Sequence, residues 1–73
     1  MAITDDKILF CAIAVPGEVE VVTKRVSGRV VSKIHGGQLD GEVYDEHDGL
    51  PGDPKAQCAS ICDWLRARWP RRG

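Results

Sequence analysis

The stretch KILFCAIAVPGEVEVVTKRVSGRVVSKIH, residues 7–35, decides the fold. Its runs of valine, isoleucine and other strand-forming residues suit a pleated, half-buried surface. Pro16-Gly17 and Ser27-Gly28 interrupt the runs. Proline fixes φ at the first central position of a type II turn, and glycine accepts the positive φ at the second. Two short turns between strands make two consecutive antiparallel hairpins. The sequence therefore predicts a meander of strands at residues 7–15, 18–26 and 29–35.

The first strand is apolar on both faces. Side chains alternate along a strand, and neither the even nor the odd positions from Ile8 to Val15 carry a charge. Two apolar faces are typical of a central strand, or of a strand whose second face meets another chain. A meander also leaves an edge open, and an open edge invites pairing. We therefore expect either a homodimer or a complex with a larger protein.

A fourth, shorter strand and a loop follow the meander. Gly36-Gly37 breaks the strand pattern, and Asp40-Gly41 signals a turn. Residues 42–45, which include Val43 and Tyr44, fit a short edge strand. The glycine, proline and aspartate pairs in residues 46–53 predict a loop over that whole segment.

A single helix is predicted at the C-terminal end. Asp53 is a good N-cap residue, and Pro54 suits the first helical position. Apolar residues then recur at three- and four-residue spacing, which makes one stripe: Cys58, Ile61, Cys62, Leu65 and Trp69. Pro70 ends the helix. The prediction is one α+β domain over residues 1–73, with an antiparallel three- to four-stranded meander sheet and one helix packed on one face. Residues 1–6 form a polar lead-in and residues 70–73 a basic tail.

Composition and cysteine usage indicate a cytoplasmic protein without a membrane span. The chain is 42% hydrophobic and 29% charged, as folded globular proteins are. The longest apolar run, from Ile8 to Val15, is far shorter than the roughly 20 residues that cross a bilayer. Asp5 and Asp6 precede it, where a signal peptide carries positive charge. Three cysteines, an odd number, fit a reducing compartment.

No residue pattern indicates a metal, a cofactor or catalysis. Cys58 and Cys62 with His35 or His47 can be weighed as zinc ligands, but a second matched pair is missing. Both cysteines lie on the apolar stripe of the helix, which favours core packing. His47 lies among acidic residues, without the nucleophile and orienting partner that catalysis needs. We therefore expect a protein that is not an enzyme.

Charge segregation and Trp64 define two candidate surfaces. Trp64 flanks the helix stripe as an interface anchor or a core flank, and Arg68, one turn on, is placed to stack over its ring. The predicted partner-binding residues are Asp40, Glu42, Asp45, Glu46, Asp48, Trp64 and Arg68. The alternative is a nucleic-acid-binding regulator that uses Lys24, Arg25, Arg29, Lys33, Arg66, Arg71 and Arg72. A net charge of -1 makes direct nucleic-acid binding the less favoured alternative.

The predicted strands and the helix over residues 54–69 together resemble small accessory proteins of phages and mobile elements, such as anti-CRISPR proteins. The resemblance covers the architecture of the chain and rests on no diagnostic motif, so no functional residue is carried over. It implies a stoichiometric inhibitor that binds a larger protein or protein–nucleic-acid complex, such as a CRISPR effector, rather than an enzyme.

Overall fold

A computed structural model describes residues 7–68. Its strands are β1 Lys7–Val15, β2 Val19–Val26, β3 Arg29–His35 and β4 Val43–Asp45, and its α-helix is α1 Pro54–Arg68. A 3₁₀ helix, Glu46–Asp48, follows β4. The strands are antiparallel and adjacent in chain order, β1-β2-β3-β4. The predicted α+β meander with one helix on one face is therefore confirmed. β2 and β4 each begin one residue later than the sequence indicated.

The two hairpin turns carry the glycine conformations that the sequence requires. Gly17 has a φ of 74°, in the left-handed region that glycine adopts without strain. Ser27 and Gly28 have φ values of 51° and 80°. Positive φ at both central residues is the geometry of a type I′ turn, whose twist matches that of the flanking strands. This turn sets Val26 opposite Arg29 and so fixes the register of β2 with β3.

β1 is an edge strand. The central-strand alternative for its two apolar faces is therefore wrong, because β1 pairs with β2 alone among residues 7–68. One face of β1 meets the helix and core, where Ala14 is buried. On the other face Ile8, Cys11 and Ile13 are exposed. The register with β2 shifts between Ile8 and Phe10, which marks a β-bulge.

The core lies between α1 and one face of the sheet. Four residues of the predicted helical stripe are at most 2% exposed: Cys58, Ile61, Cys62 and Leu65. They pack against Ala14, Val19, Val21 and Ile34 from the first three strands. Trp69, the last residue of the stripe, lies outside the described residues, as do residues 1–6 and 70–73. Burial, and after it the neighbouring Cys58, raise the pKa of Cys62 to about 11.

A polar network crosses the core and ties the helix to the sheet. Thr23 Oγ1 lies 2.7 Å from Ser32 Oγ, and the Ser32 hydroxyl donates to Gln57 Oε1 at 2.6 Å. The Gln57 amide donates to the carbonyls of Val30 and Pro51, both at 3.0 Å. All three side chains are fully buried, and among the described residues no buried side-chain nitrogen or oxygen lacks a partner. The network therefore supplies the hydrogen bonds that buried polar groups need.

Asp53 begins the helix as predicted. Its carboxylate accepts a hydrogen bond from the backbone N–H of Ala56 at 3.0 Å, and its carbonyl accepts from Gln57 N at 2.8 Å. The carboxylate thus satisfies one of the amide donors left open at the start of a helix. Within residues 7–68, no helix has both the length and the hydrophobicity that a bilayer span requires.

Candidate partner-binding groove

One helix covers a four-stranded sheet only in part, and a groove results. A helix is about 10 Å wide with its side chains, whereas neighbouring strands lie roughly 4.8 Å apart. α1 packs mainly on β1 and β2, which leaves the same face of β4 uncovered. The groove beside it has a volume of about 330 Å³. Its lining residues come from β4, the loop after it and α1: Tyr44, Asp48, Leu50, Ser60, Ile61 and Trp64.

Trp64 is held at the groove by contacts on two sides. Its ring meets Tyr44 edge to face, with centroids 5.8 Å apart and planes at 69°. The Arg68 guanidinium lies 4.8 Å from the centroid of the Trp64 ring, which confirms the predicted stacking. Trp64 nevertheless remains 41% exposed. An ordered yet accessible indole loses little conformational freedom when a partner covers it.

Tyr44 connects this aromatic pair to an acidic residue. Its hydroxyl donates a long hydrogen bond, 3.4 Å, to Glu42 Oε1. Burial is the largest cause that raises the pKa of Tyr44 above its ordinary value, followed by the charge of Glu42 and their hydrogen bond. The phenol is therefore a neutral donor over the physiological pH range.

The loop after β4 is more ordered than the sequence indicated. Residues 46–53 were predicted to be loop throughout, and this is wrong for the 3₁₀ helix Glu46–Asp48. Asp45 Oδ1 accepts a hydrogen bond from His47 N at 2.8 Å, and Asp48 Oδ2 accepts from Asp45 N at 2.9 Å. This reciprocal pair is a capping box, which stabilises the short helix. Both carboxylates therefore order the backbone, and Asp48 also lines the groove.

The other predicted acidic residues have different structural environments. Asp40 Oδ1 accepts from the backbone N–H of Gly36 at 2.7 Å and so closes the turn after β3. Asp45 forms an ion pair with Arg29 at 3.4 Å. A residue of the predicted partner-binding set therefore contacts a residue of the predicted nucleic-acid-binding set. Glu46 is exposed. The predicted partner-binding residues that meet at or beside the groove are Glu42, Asp48, Trp64 and Arg68.

Three of the predicted basic residues share the sheet face away from the helix, and the others lie elsewhere: Lys24, Arg29 and Lys33 are the three. Lys24 and Lys33 lie opposite Val31 and Val22, on the sheet face away from the helix. Arg25 lies opposite Val30, a buried residue of the helix-covered face. Arg71 and Arg72 lie outside the described residues.

Arg66 is engaged with the backbone rather than displayed as a free cation. Its Nε donates to the Ala14 carbonyl at 2.9 Å, and its Nη2 donates to the Ile13 carbonyl at 3.0 Å. Its Nη1 also pairs with Asp63 at 3.3 Å. The guanidinium therefore fastens α1 to the C-terminal part of β1.

The groove also contains residues that sequence reasoning missed. Leu50 is the one large aliphatic residue in residues 46–53, and that isolation was an available signal. Ser60 and Ile61 precede Trp64 by four and three positions, so all three share one side of the helix.

Among residues 7–68, no three His, Cys, Asp or Glu side chains are arranged to hold a metal ion.

Comparison with known proteins found no matching family model, no matching curated protein and no matching solved structure.

Proposed function

We propose that this chain is a non-catalytic protein-binding module that docks on a larger protein through the groove at Trp64. The observation that carries the proposal is the half-exposed indole, ordered by Tyr44 and Arg68 beside apolar Leu50 and Ile61. Tryptophan and arginine are enriched among the residues that dominate protein–protein binding energy. A groove of about 330 Å³ next to such a residue suits insertion of a partner side chain.

The charges at the groove favour a partner with basic residues. Asp48 lines the groove, and Glu42 lies against Tyr44 at its side. An apolar side chain of the partner can fill the groove while a neighbouring lysine or arginine meets these carboxylates, which gives electrostatic complementarity. The resemblance to anti-CRISPR proteins adds a finer proposal. In this form, the partner is a host machine such as a CRISPR effector, and the carboxylates compete with nucleic acid for a basic channel.

Direct nucleic-acid binding receives less support. Lys24, Arg29 and Lys33 share the open sheet face, but Arg25 lies on the helix-covered face. Arg29 and Arg66 also have acidic or carbonyl partners. A nucleic-acid-binding surface instead gathers its positive charges along the phosphate backbone.

Affinity capture from a bacterial lysate, compared among three variants, tests the proposal. We expect wild type and Val26→Ala to retain the same partner, and Trp64→Ala to lose it. Val26 is the matched control because its exposure, 38%, is close to the 41% of Trp64, and it lies at the far end of the second hairpin. With the purified partner, calorimetry should show about 30-fold weaker binding for Trp64→Ala, the effect of a hot spot of about 2 kcal/mol.

Two results would overturn the proposal. One is a partner that Trp64→Ala binds as tightly as wild type does. The other is micromolar binding to DNA or RNA that weakens steeply between low and physiological salt and is lost in the Arg29→Ala, Lys33→Ala double variant, since phosphate contacts give that salt dependence. The finer proposal fails separately if a bound CRISPR effector keeps its full affinity for nucleic acid.

A further inference from the structure

β1 presents an apolar edge that none of the other described strands covers. Among residues 7–68 its outer side has no strand neighbour, whereas the opposite edge of the sheet is the three-residue β4. Ile8 and Ile13 are 58% and 57% exposed, and Cys11 is exposed as well. Long apolar edges pair readily with other strands, and proteins usually shorten, charge or cover them.

Arg66 covers one end of this edge. It binds the carbonyls of Ile13 and Ala14, so these groups already have a donor. Within β1, residues 7–12 remain as the segment without such a cover. The available edge is therefore a short segment, KILFCA, bounded on one side by a guanidinium.

We propose that a second copy of this chain pairs with β1 through residues 7–12. The two strands are antiparallel, with a two-fold axis between Leu9 and Phe10. Ile8 then lies opposite Cys11 of the second copy, and Lys7 lies opposite Ala12. The two sheets join into one, with both helices on the same side. This surface is separate from the groove at Trp64.

The bulge in β1 selects this register. Residues that lie opposite each other in an antiparallel pair point to the same face. Ile8 lies opposite Lys24 of β2, on the open face, whereas Phe10 lies opposite Thr23, on the helix-covered face. Because of the bulge, Ile8 therefore shares the open face with Cys11. The proposed register therefore joins residues of one face. A register centred on Cys11 would instead place exposed Ile8 opposite buried Ala14.

Charge favours a second copy in this arrangement. Lys7 is the one charged residue in residues 7–12, and the antiparallel pairing places the two copies of it at opposite ends. Stacking the open sheet faces would instead oppose Lys24 and Lys33 of one copy to those of the other, and like charges facing each other destabilise an interface.

Disulfide trapping tests the register. In Ile8→Cys, the new thiol lies opposite native Cys11 of the second copy. Opposite residues have Cβ atoms about 4.5–5.5 Å apart, and a small backbone shift brings this to the roughly 3.5–4.5 Å of a disulfide. We expect oxidation with diamide to give a covalent dimer of Ile8→Cys. Wild type should stay monomeric on a denaturing gel, because the two Cys11 residues lie about three residues, or roughly 10 Å, apart along the strands. Val43→Cys, on the opposite edge, is the control for any exposed thiol and should not cross-link above wild type.

Sedimentation equilibrium tests the association itself. We expect a dimer that forms in a concentration-dependent way at up to about 100 µM protein, and Ile8→Lys should raise its dissociation constant at least about 10-fold. Val43→Lys adds the same charge at a site of similar exposure, 51% against 58%, and should leave the dimer unchanged. Circular dichroism checks that both variants fold. A strict monomer at every concentration, a dimer that both lysine variants weaken equally, or a wild type that cross-links as readily as Ile8→Cys would each overturn the proposal.

Discussion

Replacing Gln57 with leucine tests whether the buried polar network holds the helix on the sheet. The substitution keeps a similar volume and removes the amide that joins Ser32 to the carbonyls of Val30 and Pro51. We expect Gln57→Leu to lower the free energy of unfolding by about 3 kcal/mol. This magnitude follows from two buried groups, the Ser32 hydroxyl and the Val30 carbonyl, that each lose a partner at about 1–3 kcal/mol. A chain of this size is stable by roughly 4–11 kcal/mol, so the loss is large.

A double-mutant cycle separates the network from simple packing. Ser32→Ala alone leaves Gln57 Oε1 and the Thr23 hydroxyl without their bonds to Ser32, at a cost of about 2 kcal/mol. In Ser32→Ala with Gln57→Leu, two of the orphaned groups are gone. The double variant should therefore lose about 3 kcal/mol rather than the additive sum of about 5. Urea unfolding followed by far-ultraviolet circular dichroism measures all three values. Additive losses would refute the network as a coupled unit.

Three further predictions concern the core, its titration and one turn. Leu65→Asp should leave the chain unfolded at room temperature, because it buries an unpaired carboxylate in the core, and a cooperative melt like that of wild type would contradict the helix packing. Stability should be full below about pH 8 and fall by up to about 2 kcal/mol toward pH 11, since an unfolded thiol loses its proton at about pH 8.5 whereas the Cys62 pKa of about 11 makes the folded chain keep it. Urea melts at both ends of this range should show a smaller fall in Cys62→Ala, and an unchanged fall would assign it to other groups. Gly36→Ala should destabilise the fold by more than about 2 kcal/mol, since its Cβ would collide with the Glu18 carbonyl, whereas Gly28→Ala, also at positive φ but in open space, should cost about 1 kcal/mol in thermal melts. Equal losses in the two glycine variants would argue against the collision.

The fold was predictable because its signals are local. Pro16-Gly17 and Ser27-Gly28 each bound a strand with a turn of known conformation, and Asp53-Pro54 marks the start of the helix. The 3₁₀ helix Glu46–Asp48 was not predictable in this way. It is too short to show a periodic pattern. It is stabilised by reciprocal hydrogen bonds that involve two aspartates, and aspartates at these positions are equally compatible with an ordinary loop.

The groove and the polar network depend on where the helix sits. Strand alternation puts Thr23 on one face of its strand with Val21, and Ser32 on one face of its strand with Ile34. No sequence pattern indicates which helical residue reaches Ser32. Gln57 reaches Ser32 because of the position that α1 takes along and across the strands. The same lateral position, mainly over β1 and β2, leaves Tyr44 only partly covered and opens the groove at Trp64. The helical spacing of Trp64 and Arg68 predicts their contact, but the cleft beside them depends on the packing of the helix, which the spacing does not determine.

The order of the strands also bears on how the chain folds. Each strand pairs with the one next to it in the sequence, so building the sheet closes only short loops, which cost little conformational entropy. The long-range step is the return of α1 to β1, joined in the native state by Arg66 and Ala14 across 52 positions. Topologies dominated by nearby contacts fold fast. We therefore expect the meander to form before the helix docks, so that the apolar face of the sheet is exposed to other chains during folding until α1 covers it.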